Sequence, residues 1–330
     1  MNIIVMKFGG TSVANVDKIQ NIAKIVEKEC KTNKILVVLS AMAGETNKLQ
    51  NYLDKIDSKN SPENDLVLTS GEQVSVGLLS AILKKKGIIS TPLLGWQIPI
   101  ITDCNYEKAK ILNIDNKRLK SVFKYSDVIV LAGFQGVSTE GYITSLGRGG
   151  SDTTAVAIAA ALKAERCDIY TDVEGIFTSD PNLVTKARKI PKVSFEEMLE
   201  MASMGAKVLH TRSVELAMKN NLTLQVLSSL TNKKGTYVID EKKLIEKEIV
   251  SGVSYSKNES KITISGIPDK PGISGKIFGI MAKNNINVDM IVQNISQDGV
   301  FANITFTVSS KDMDISKELL EKNLQILNFK

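Results

Sequence analysis

Histidine and cysteine are scarce in this sequence, which has one histidine and three cysteines among 330 residues. The cysteines (Cys30, Cys104 and Cys167) lie far apart, and no CxxC pair occurs. Structural zinc sites and disulfide frameworks need grouped cysteines or histidines, so neither is expected. A hydrolase of the Ser-His-Asp type would have to use His210, the single imidazole of the chain. The sequence therefore does not favour a zinc site, a disulfide framework or a Ser-His-Asp triad, and we assign His210 no chemical role.

Long apolar runs and a signal-peptide layout are also missing. The longest apolar helical run that we identify, near 153–162, is about half the length of a membrane span. The N-terminal MNIIVMKFGG has no basic segment before an apolar one. We therefore expect a cytoplasmic protein with no membrane partner. The net charge of +6 suits anionic small molecules, but lysine and arginine form no basic block interleaved with aromatics, so no nucleic-acid partner is expected.

Length and composition indicate a folded chain of more than one domain. Hydrophobic residues make up 43% and charged residues 24% of the sequence, as is usual for a soluble globular protein. The charged segment DEKKLIEKE at 240–248 has few core positions and predicts a domain boundary. We therefore predict domains at 1–240 and 250–330.

Parallel β-strands that alternate with helices are predicted through the first domain. Continuous apolar runs, expected of strands buried on both faces, occur at 2–8, 34–39 and 127–131. A glycine turn and a helix follow the first run, and another helix is predicted over 72–85. This alternation predicts a doubly wound α/β sheet, in which ligands bind at the carboxyl ends of the strands.

A glycine-rich segment, GYITSLGRGGSD at 141–152, runs directly into an apolar, alanine-rich helical run. It places Arg148 among three glycines and ends in Ser151 and Asp152, both good helix N-cap residues. Glycine backbone amides at a helix start bind anions, and arginine can hold a carboxylate or phosphate through two bonds. The segment therefore predicts an anion site, and the simpler alternative is a glycine turn with an ordinary N-cap.

Lys7 ends the first strand, at the mouth of the Gly9–Gly10 turn, where it could bridge transferring phosphate oxygens or serve only as a surface lysine. No GxxxxGK[ST] or GxGxxG motif occurs at this turn, so a nucleotide site would be of another type. Thr171 and Asp172 end a later strand, where they could contact a ribose or adenine or simply close the strand. Lys207 is a second candidate phosphate lysine.

The second domain shows a strand, helix, strand, strand, helix order, typical of a small ferredoxin-like α+β unit. The predicted elements are strands at 261–266, 286–293 and 300–308 and helices at 277–283 and 315–323. A closing strand at 324–329 would be very short or missing.

With these segments identified, the chain resembles the aspartokinases of the amino-acid-kinase superfamily. The segments that carry the resemblance, in the family's order, are KFGGTSV at 7–13, LSAMAGETN at 39–47, TSGEQVS at 69–75, AGFQGV at 132–137, LGRGGSDTTAVA at 146–157, YTDVEGIFTSDP at 170–181 and EEMLEMASMGAKVLH at 196–210. The stretch 261–308 resembles the first of the family's two ACT regulatory modules, and we expect the second to be missing. The resemblance implies a parallel-rich sheet sandwiched by helices plus a small ACT domain.

The resemblance also implies an activity: ATP-dependent, Mg²⁺-assisted phosphorylation of the β-carboxylate of L-aspartate to 4-phospho-L-aspartate, the first step of lysine, threonine and methionine biosynthesis. The catalytic residues it implies are Lys7, Asp152 and Lys207, with no residue assigned as a direct metal ligand. The implied aspartate-binding residues are Ser40, Thr46, Glu72, Arg148, Gly149, Gly150 and Ser151. The implied ATP-binding residues are Lys7, Phe8, Gly9, Gly10, Thr171, Asp172, Phe177, Lys207 and Val208.

This chemistry suits a site without histidine. A β-carboxylate has an ordinary pKa of about 4, so it is ionised at neutral pH and needs no general base. The transfer needs charge neutralisation and in-line placement, which two lysines, glycine-loop amides and Mg²⁺ can supply.

Two alternatives stay open. One is another kinase of the superfamily acting on glutamate, acetylglutamate or UMP, although Glu72 with Arg148 favours a free amino acid. The other is a catalytically inert regulatory subunit, which would not need Lys7, Arg148, Asp152 and Lys207. A lysine or threonine effector, and a homo-oligomer formed through the ACT or catalytic domains, are further expectations.

Overall fold

The structure is a computed structural model. It describes residues 2–206, 208–231, 233–244, 250–255, 257–284, 286–295 and 300–324. The chain divides into two compact units, Met1–Ser254 and Tyr255–Lys330.

The first unit contains two sheets. Its strands are β1 (Ile3–Phe8), β2 (Lys34–Leu39), β3 (Ser90–Leu93), β4 (Ile100–Thr102), β5 (Ile111–Ile114), β6 (Val128–Ala132), β7 (Gln135–Ser138), β8 (Ile143–Ser145), β9 (Arg166–Thr171), β10 (Lys192–Ser194), β11 (Leu224–Ser228) and β12 (Thr236–Ile239). Eight of them form one sheet in the order β10-β12-β11-β9-β1-β2-β6-β3. Neighbours in this sheet are parallel except β11 with β12, which confirms the predicted parallel-rich sheet.

Helices cover both faces of the large sheet. The helices of this unit are α1 (Val16–Glu29), α2 (Glu45–Lys55), α3 (Pro62–Leu68), α4 (Ser70–Lys85), α5 (Lys117–Val122), α6 (Gly150–Leu162), α7 (Phe195–Ser203) and α8 (Thr211–Lys219). Because side chains alternate along a strand, Ile4 and Met6 of β1 pack with α1 and α4, whereas Val5 packs on the side of α6 and α8. The predicted sandwich of a sheet between helices is confirmed.

A smaller sheet with the strand order β5-β4-β7-β8 accompanies the large one. Its strands are three or four residues long and carry buried polar side chains such as Gln135, Thr144 and Ser145. We did not predict this sheet from the sequence. It matters for the site because β8 lies within the glycine-rich segment and ends two residues before Gly147.

One described helical stretch, Pro62–Lys85, is long and apolar enough, by length and composition alone, to cross a membrane. Our placement of the longest apolar helical run near 153–162 was therefore wrong. Half of the most apolar window of Pro62–Lys85 is buried in the protein, where Leu79 and Leu83 belong to the core. A core helix passes the same test, so the stretch is weak evidence for a membrane span.

The second unit has the predicted strand, helix, strand, strand, helix order. Its elements are β13 (Glu259–Pro268), α9 (Ile273–Lys283), β14 (Val288–Ile295), β15 (Phe301–Ser309) and α10 (Met313–Leu324). The sheet order is β13-β15-β14 with antiparallel pairing, and Ile277, Met281 and Phe306 lie in its core. The predicted closing strand at 324–329 lies outside the described residues except for Leu324, which ends α10.

Candidate active site

An ion pair between Lys7 and Asp152 lies where the central strand meets the glycine-rich helix. Lys7 Nζ is 2.6 Å from Asp152 Oδ1, and the two side chains are only 13% and 7% exposed. Lys7 shares its face of β1 with Val5, so its side chain points to the layer that contains α6. Asp152 stands in the first turn of α6, where the helix dipole favours a carboxylate. The pair thus fixes an ammonium group at the carboxyl end of β1.

The turn after β1 leaves space around this ammonium group. A Cβ atom on Gly9 would lie 3.2 Å from Lys7 Nζ, and a Cβ atom on Gly10 would lie 3.2 Å from the carbonyl oxygen of Ala41. The N–H groups of Ser12 and Val13 donate to the Gly9 carbonyl, at 2.9 and 3.2 Å, and close the turn. Glycine at both positions therefore keeps a ligand's path to Lys7 free of side chains.

The start of α6 differs from the prediction. We expected Ser151 and Asp152 to cap the helix, but Gly149 is the N-cap residue, with a left-handed φ of 73°, and the helix begins at Gly150. Glycine occupies the N-cap position because a residue without a side chain adopts this backbone conformation readily. No described side chain caps α6. The Gly150 N–H donates to the Gly147 carbonyl at 2.9 Å, which leaves the N–H groups of Ser151 and Asp152 available to an anion.

Glu72 is a buried carboxylate in the first turn of α4. Its side chain is 2% exposed, and its Oε1 accepts a hydrogen bond of 3.0 Å from the Ala41 N–H. The other oxygen, Oε2, is buried with no hydrogen-bond partner among the described residues. Burial raises the pKa of Glu72 to about 8. A cationic ligand group would satisfy Oε2 and restore the ionised form.

The remaining predicted acceptor residues occupy the same edge of the sheet. Ser40 follows β2 and donates its N–H to the Phe8 carbonyl at 3.2 Å, and Thr46 lies in the first turn of α2, half-buried. Ser151 is buried, and its Oγ would lie 2.8 Å from a Cβ atom on Gly133, which follows β6. Arg148 is exposed, and within the described ranges it has no hydrogen-bond or ion-pair partner. Its guanidinium is thus available to a ligand.

The predicted nucleotide residues begin at the end of β9, beside β1. Thr171 Oγ1 donates to Asp172 Oδ1 at 2.9 Å, and the Thr171 carbonyl accepts from the Ser229 N–H at 2.9 Å. The Ser229 hydroxyl in turn accepts a bond of 2.8 Å from Ser12, in the turn that follows Lys7. Hydrogen bonds therefore connect the predicted nucleoside contacts to the glycine turn.

The other predicted nucleotide residues have different surroundings, and of these Phe8 ends β1 at this edge. Phe8 stacks on Tyr170 with ring centroids 4.4 Å apart. Phe177 pairs with Lys189 in an isolated bridge, and Val208 is half-buried against the core. Lys207, predicted as a catalytic lysine, lies outside the described residues.

Three residues near the glycine-rich segment were not given a role by the sequence analysis. His210 packs its imidazole against Gly149, so a Cβ atom on Gly149 would overlap the ring. Asp65 of α3 is fully buried and bonded to Ser145. Arg212 of α8 donates to the carbonyl of Leu146. Only proximity in sequence to the motifs at 69–75 and 196–210 could have drawn attention to Asp65 and Arg212.

The chain matches two family profiles and many known proteins. The amino acid kinase family profile matches residues 2–228, and an ACT domain profile matches residues 262–324. The chain is 47% identical over 324 residues to the aspartate kinase of Pseudomonas putida, covering 97% of this chain and 79% of that protein.

Solved structures of other aspartate kinases also match the chain. The crystal structure of aspartate kinase from Synechocystis matches with a TM-score of 0.65 and 36% identity over 99% of this chain, which spans 56% of that one. Escherichia coli aspartokinase III in complex with lysine and aspartate matches with a TM-score of 0.77 and 28% identity, over 97% of this chain and 82% of that one. The same protein in complex with aspartate and ADP matches with a TM-score of 0.76 and 28% identity, over 98% of this chain and 83% of that one.

Proposed function

The chain belongs to the amino acid kinase family and, within it, to the aspartate kinases, and we propose that it transfers the γ-phosphoryl group of ATP to the β-carboxylate of L-aspartate. The product would be 4-phospho-L-aspartate. One observation carries the proposal: the buried Glu72, one oxygen of which has no partner in the described part of the chain, lies at the same sheet edge as the Lys7–Asp152 pair.

The acceptor's free amino and carboxyl groups explain two of these residues. An ammonium group would pair with Glu72 Oε2, which has no other partner among the described residues. The α-carboxylate would bind Arg148 through two hydrogen bonds. The proposed contacts to the rest of the acceptor come from Ser40, Thr46, Gly149, Gly150 and Ser151. An N-acylated acceptor or a nucleotide has no ammonium group and would leave Glu72 unpaired.

The phosphate side of the site depends on positive charge and open backbone. Lys7 would contact the phosphates, held in place by Asp152, while Gly9 and Gly10 allow close approach. Lys207 is proposed as a second phosphate lysine. The proposed nucleoside contacts come from Phe8, Thr171, Asp172, Phe177 and Val208.

The few carboxylates at the site are compatible with a Mg²⁺ ion that is bound mainly by the nucleotide. Within the described residues, no group of three or more Asp, Glu, His or Cys side chains could hold a metal ion alone. Mg²⁺ at kinase sites needs only one or two carboxylates, because substrate phosphates and water complete its shell. Asp152, the carboxylate paired with Lys7, would help to position the ion, and bound Mg²⁺ would neutralise charge on the phosphates.

The reaction requires no covalent bond between the protein and the substrates. A β-carboxylate oxygen forms a bond to the γ-phosphorus while the bond to the bridging oxygen of ADP breaks, and ADP leaves with the electron pair. The acceptor is already ionised, so no proton has to be removed. The protein contributes orientation through Glu72 and Arg148 and charge stabilisation through Lys7 and the first-turn amides of α6.

The second unit supports a proposal of regulation. We propose that the enzyme acts in the cytoplasm at the first step of lysine, threonine and methionine biosynthesis, that lysine or threonine is its effector, and that it forms a homo-oligomer. The ACT domain match and the lysine complex of the Escherichia coli relative support the effector proposal. The open edge of β14 supports self-association.

Trapping of the product tests the carboxyl acceptor directly. An acyl phosphate reacts with hydroxylamine to give a hydroxamate, whereas phosphorylated hydroxyl groups and phosphate anhydrides do not. With ATP, Mg²⁺ and L-aspartate, we expect hydroxamate to form in step with ADP. ADP release without hydroxamate would contradict a carboxylate acceptor.

A further inference from the structure

Asp65, in the first turn of α3, binds backbone far from it in sequence. It is fully buried, and its carboxylate accepts from the Ser145 N–H at 2.7 Å and from the Ser145 hydroxyl at 2.6 Å. It also accepts from the Glu107 N–H, at 3.1 Å from both oxygens. One buried negative charge therefore holds donors from two separate segments.

Arg212, in the first turn of α8, binds the same two segments through their acceptors. Its Nη1 donates to the Leu146 carbonyl at 2.9 Å, and its Nη2 donates to the Ala109 carbonyl at 3.0 Å. The segments 107–109 and 145–146 are themselves joined by a bond of 2.9 Å from the Ala109 N–H to the Ser145 carbonyl. The two charged side chains thus bind the same pair of hydrogen-bonded segments, which we call the crossing of 107–109 and 145–146.

Among the residues that the structure describes, neither charge is used in an ion pair. Within the described residues, no cation lies at ion-pair distance from Asp65 and no carboxylate lies at that distance from Arg212. Burial raises the pKa of Asp65 and lowers that of Arg212, so both groups carry a desolvation cost. Apolar residues would fill this space at less cost, but they would not fix the direction of backbone groups.

The crossing adjoins the glycine-rich segment. Leu146 is bonded to Arg212 and directly precedes Gly147, whose Cβ atom, if present, would lie 2.9 Å from the Glu107 carbonyl oxygen. The backbone at 147 therefore rests directly on the 107–109 segment. Movement of this crossing would displace Arg148, the next residue in the chain.

We propose that Asp65 and Arg212 are positioning residues that fix the 147–150 loop so that Arg148 meets the α-carboxylate of the acceptor. Neither residue touches a substrate in this arrangement; both act through backbone at 145–146. The proposal rests on the proposed function, because it assigns Arg148 to a carboxylate of the acceptor.

Arg212→Lys is the first test. Lysine keeps the charge, but its single ammonium group cannot reproduce the planar fork that spans the two carbonyls. We expect the KM for L-aspartate and its Kd by calorimetry to rise about tenfold, or ~1.4 kcal/mol, with the KM for ATP unchanged. Asp65→Asn, which keeps the shape but loses acceptor capacity, should give the same selective effect. Arg118→Lys, an exposed arginine on α5, is the control and should change neither constant.

A double-mutant cycle with Arg148 separates positioning from general stability. Because Arg212 acts through Arg148, Arg212→Lys should raise the Kd for aspartate much less in an Arg148→Gln background than in the wild type. Equal effects in the two backgrounds, equal changes in both KM values, or a lower melting temperature with unchanged KM would each overturn the proposal. If the wild type used a different acceptor, the proposed function would be wrong. The double-mutant cycle, measured with the Kd for that acceptor, would then show whether Arg212 acts through Arg148.

Discussion

Lys7 of β1 and Asp152 of α6 form an ion pair of 2.6 Å across the boundary between the sheet and a helix layer. They come from motifs far apart in the sequence, the glycine turn after the first strand and the glycine-rich helix start. Asp152 orients the ammonium group, and the glycines around both residues leave the approach to it open. The pair therefore brings together the two halves of the proposed phosphate-binding site.

Loss of this pair should abolish turnover with little loss of fold. We expect Asp152→Asn and Lys7→Met each to lower kcat by about a hundredfold or more, because a group that stabilises developing charge is lost or misplaced. Asp127→Asn is a matched control, since Asp127 pairs with Lys34 at 2.9 Å on the same sheet but away from the site. Steady-state ADP release measures all three. Normal turnover by Asp152→Asn would contradict the active-site assignment.

Binding of aspartate should release a proton from Glu72. Its pKa of about 8 leaves the free carboxyl mostly protonated at pH 7, and an ammonium partner favours the ionised form. Calorimetry in buffers of different ionisation enthalpy should show release of about one proton at pH 7, and affinity should rise with pH up to about 8. Glu72→Gln should bind weakly and release none. Equal proton release by wild type and variant would contradict this role.

The same group predicts a pH dependence of stability in the ligand-free protein. The folded-state pKa of Glu72 is raised from its ordinary 4.5 to about 8, so the folded state binds more protons between these values. The contribution of Glu72 to stability is therefore full below about 4.5 and is lost as pH rises to about 8. Comparison of the melting temperatures of wild type and Glu72→Gln across this range should show a slope that only the wild type has. Parallel curves would contradict the shifted pKa.

Gly149 should tolerate no side chain, for two reasons that can be separated. Its φ of 73° disfavours other residues, and a Cβ atom would overlap the His210 ring. Gly44, the N-cap of α2, has a φ of 83° but open space around it, so Gly44→Ala isolates the backbone cost, about 1 kcal/mol. We expect Gly149→Ala to lower the melting temperature more than Gly44→Ala. His210→Ala should recover part of the difference only in the Gly149→Ala background; an equal effect in both would contradict the overlap.

The open edge of β14 makes a prediction about assembly. Ile291 on this edge strand is 55% exposed, and a lysine at an edge opposes pairing with another sheet. We expect the wild type to be at least a dimer by light scattering and Ile291→Lys to shift it toward monomer. Ile315→Lys, on α10 and 54% exposed, is the control and should leave the mass unchanged. A monomeric wild type would contradict self-association.

Apolar periodicity predicted the large sheet because its strands are buried on both faces. The strand predicted over 34–39 is observed at Lys34–Leu39, where five consecutive residues are buried. The small sheet gave no such signal. Most of its buried positions hold polar side chains with hydrogen-bond partners, such as Thr102 and Thr144, whose hydroxyls are 2.6 Å apart. The strands of this sheet therefore lack the alternation of apolar and polar residues from which a strand is predicted.

Details around the site depend on tertiary contacts that local sequence does not encode. Ser151 and Asp152 have the better N-cap propensity, yet the chain enters α6 in a left-handed conformation that selects Gly149. Asp65 and Arg212 bind backbone groups 80 and 66 residues away in sequence. Because Asp65 and Arg212 bind backbone groups, the sequence contains no complementary charged residues that would indicate these contacts. They could be identified only from the structure.

The most direct test of the account is ADP release with ATP and Mg²⁺, comparing L-aspartate, L-glutamate and N-acetylglutamate as acceptors, followed by addition of lysine and threonine. The account predicts turnover with aspartate, little with the other two, and a reduced rate when one effector is added. Preferred turnover of glutamate or N-acetylglutamate would contradict the substrate assignment. No turnover with any acceptor, together with tight binding of lysine or threonine, would identify an inert regulatory subunit instead.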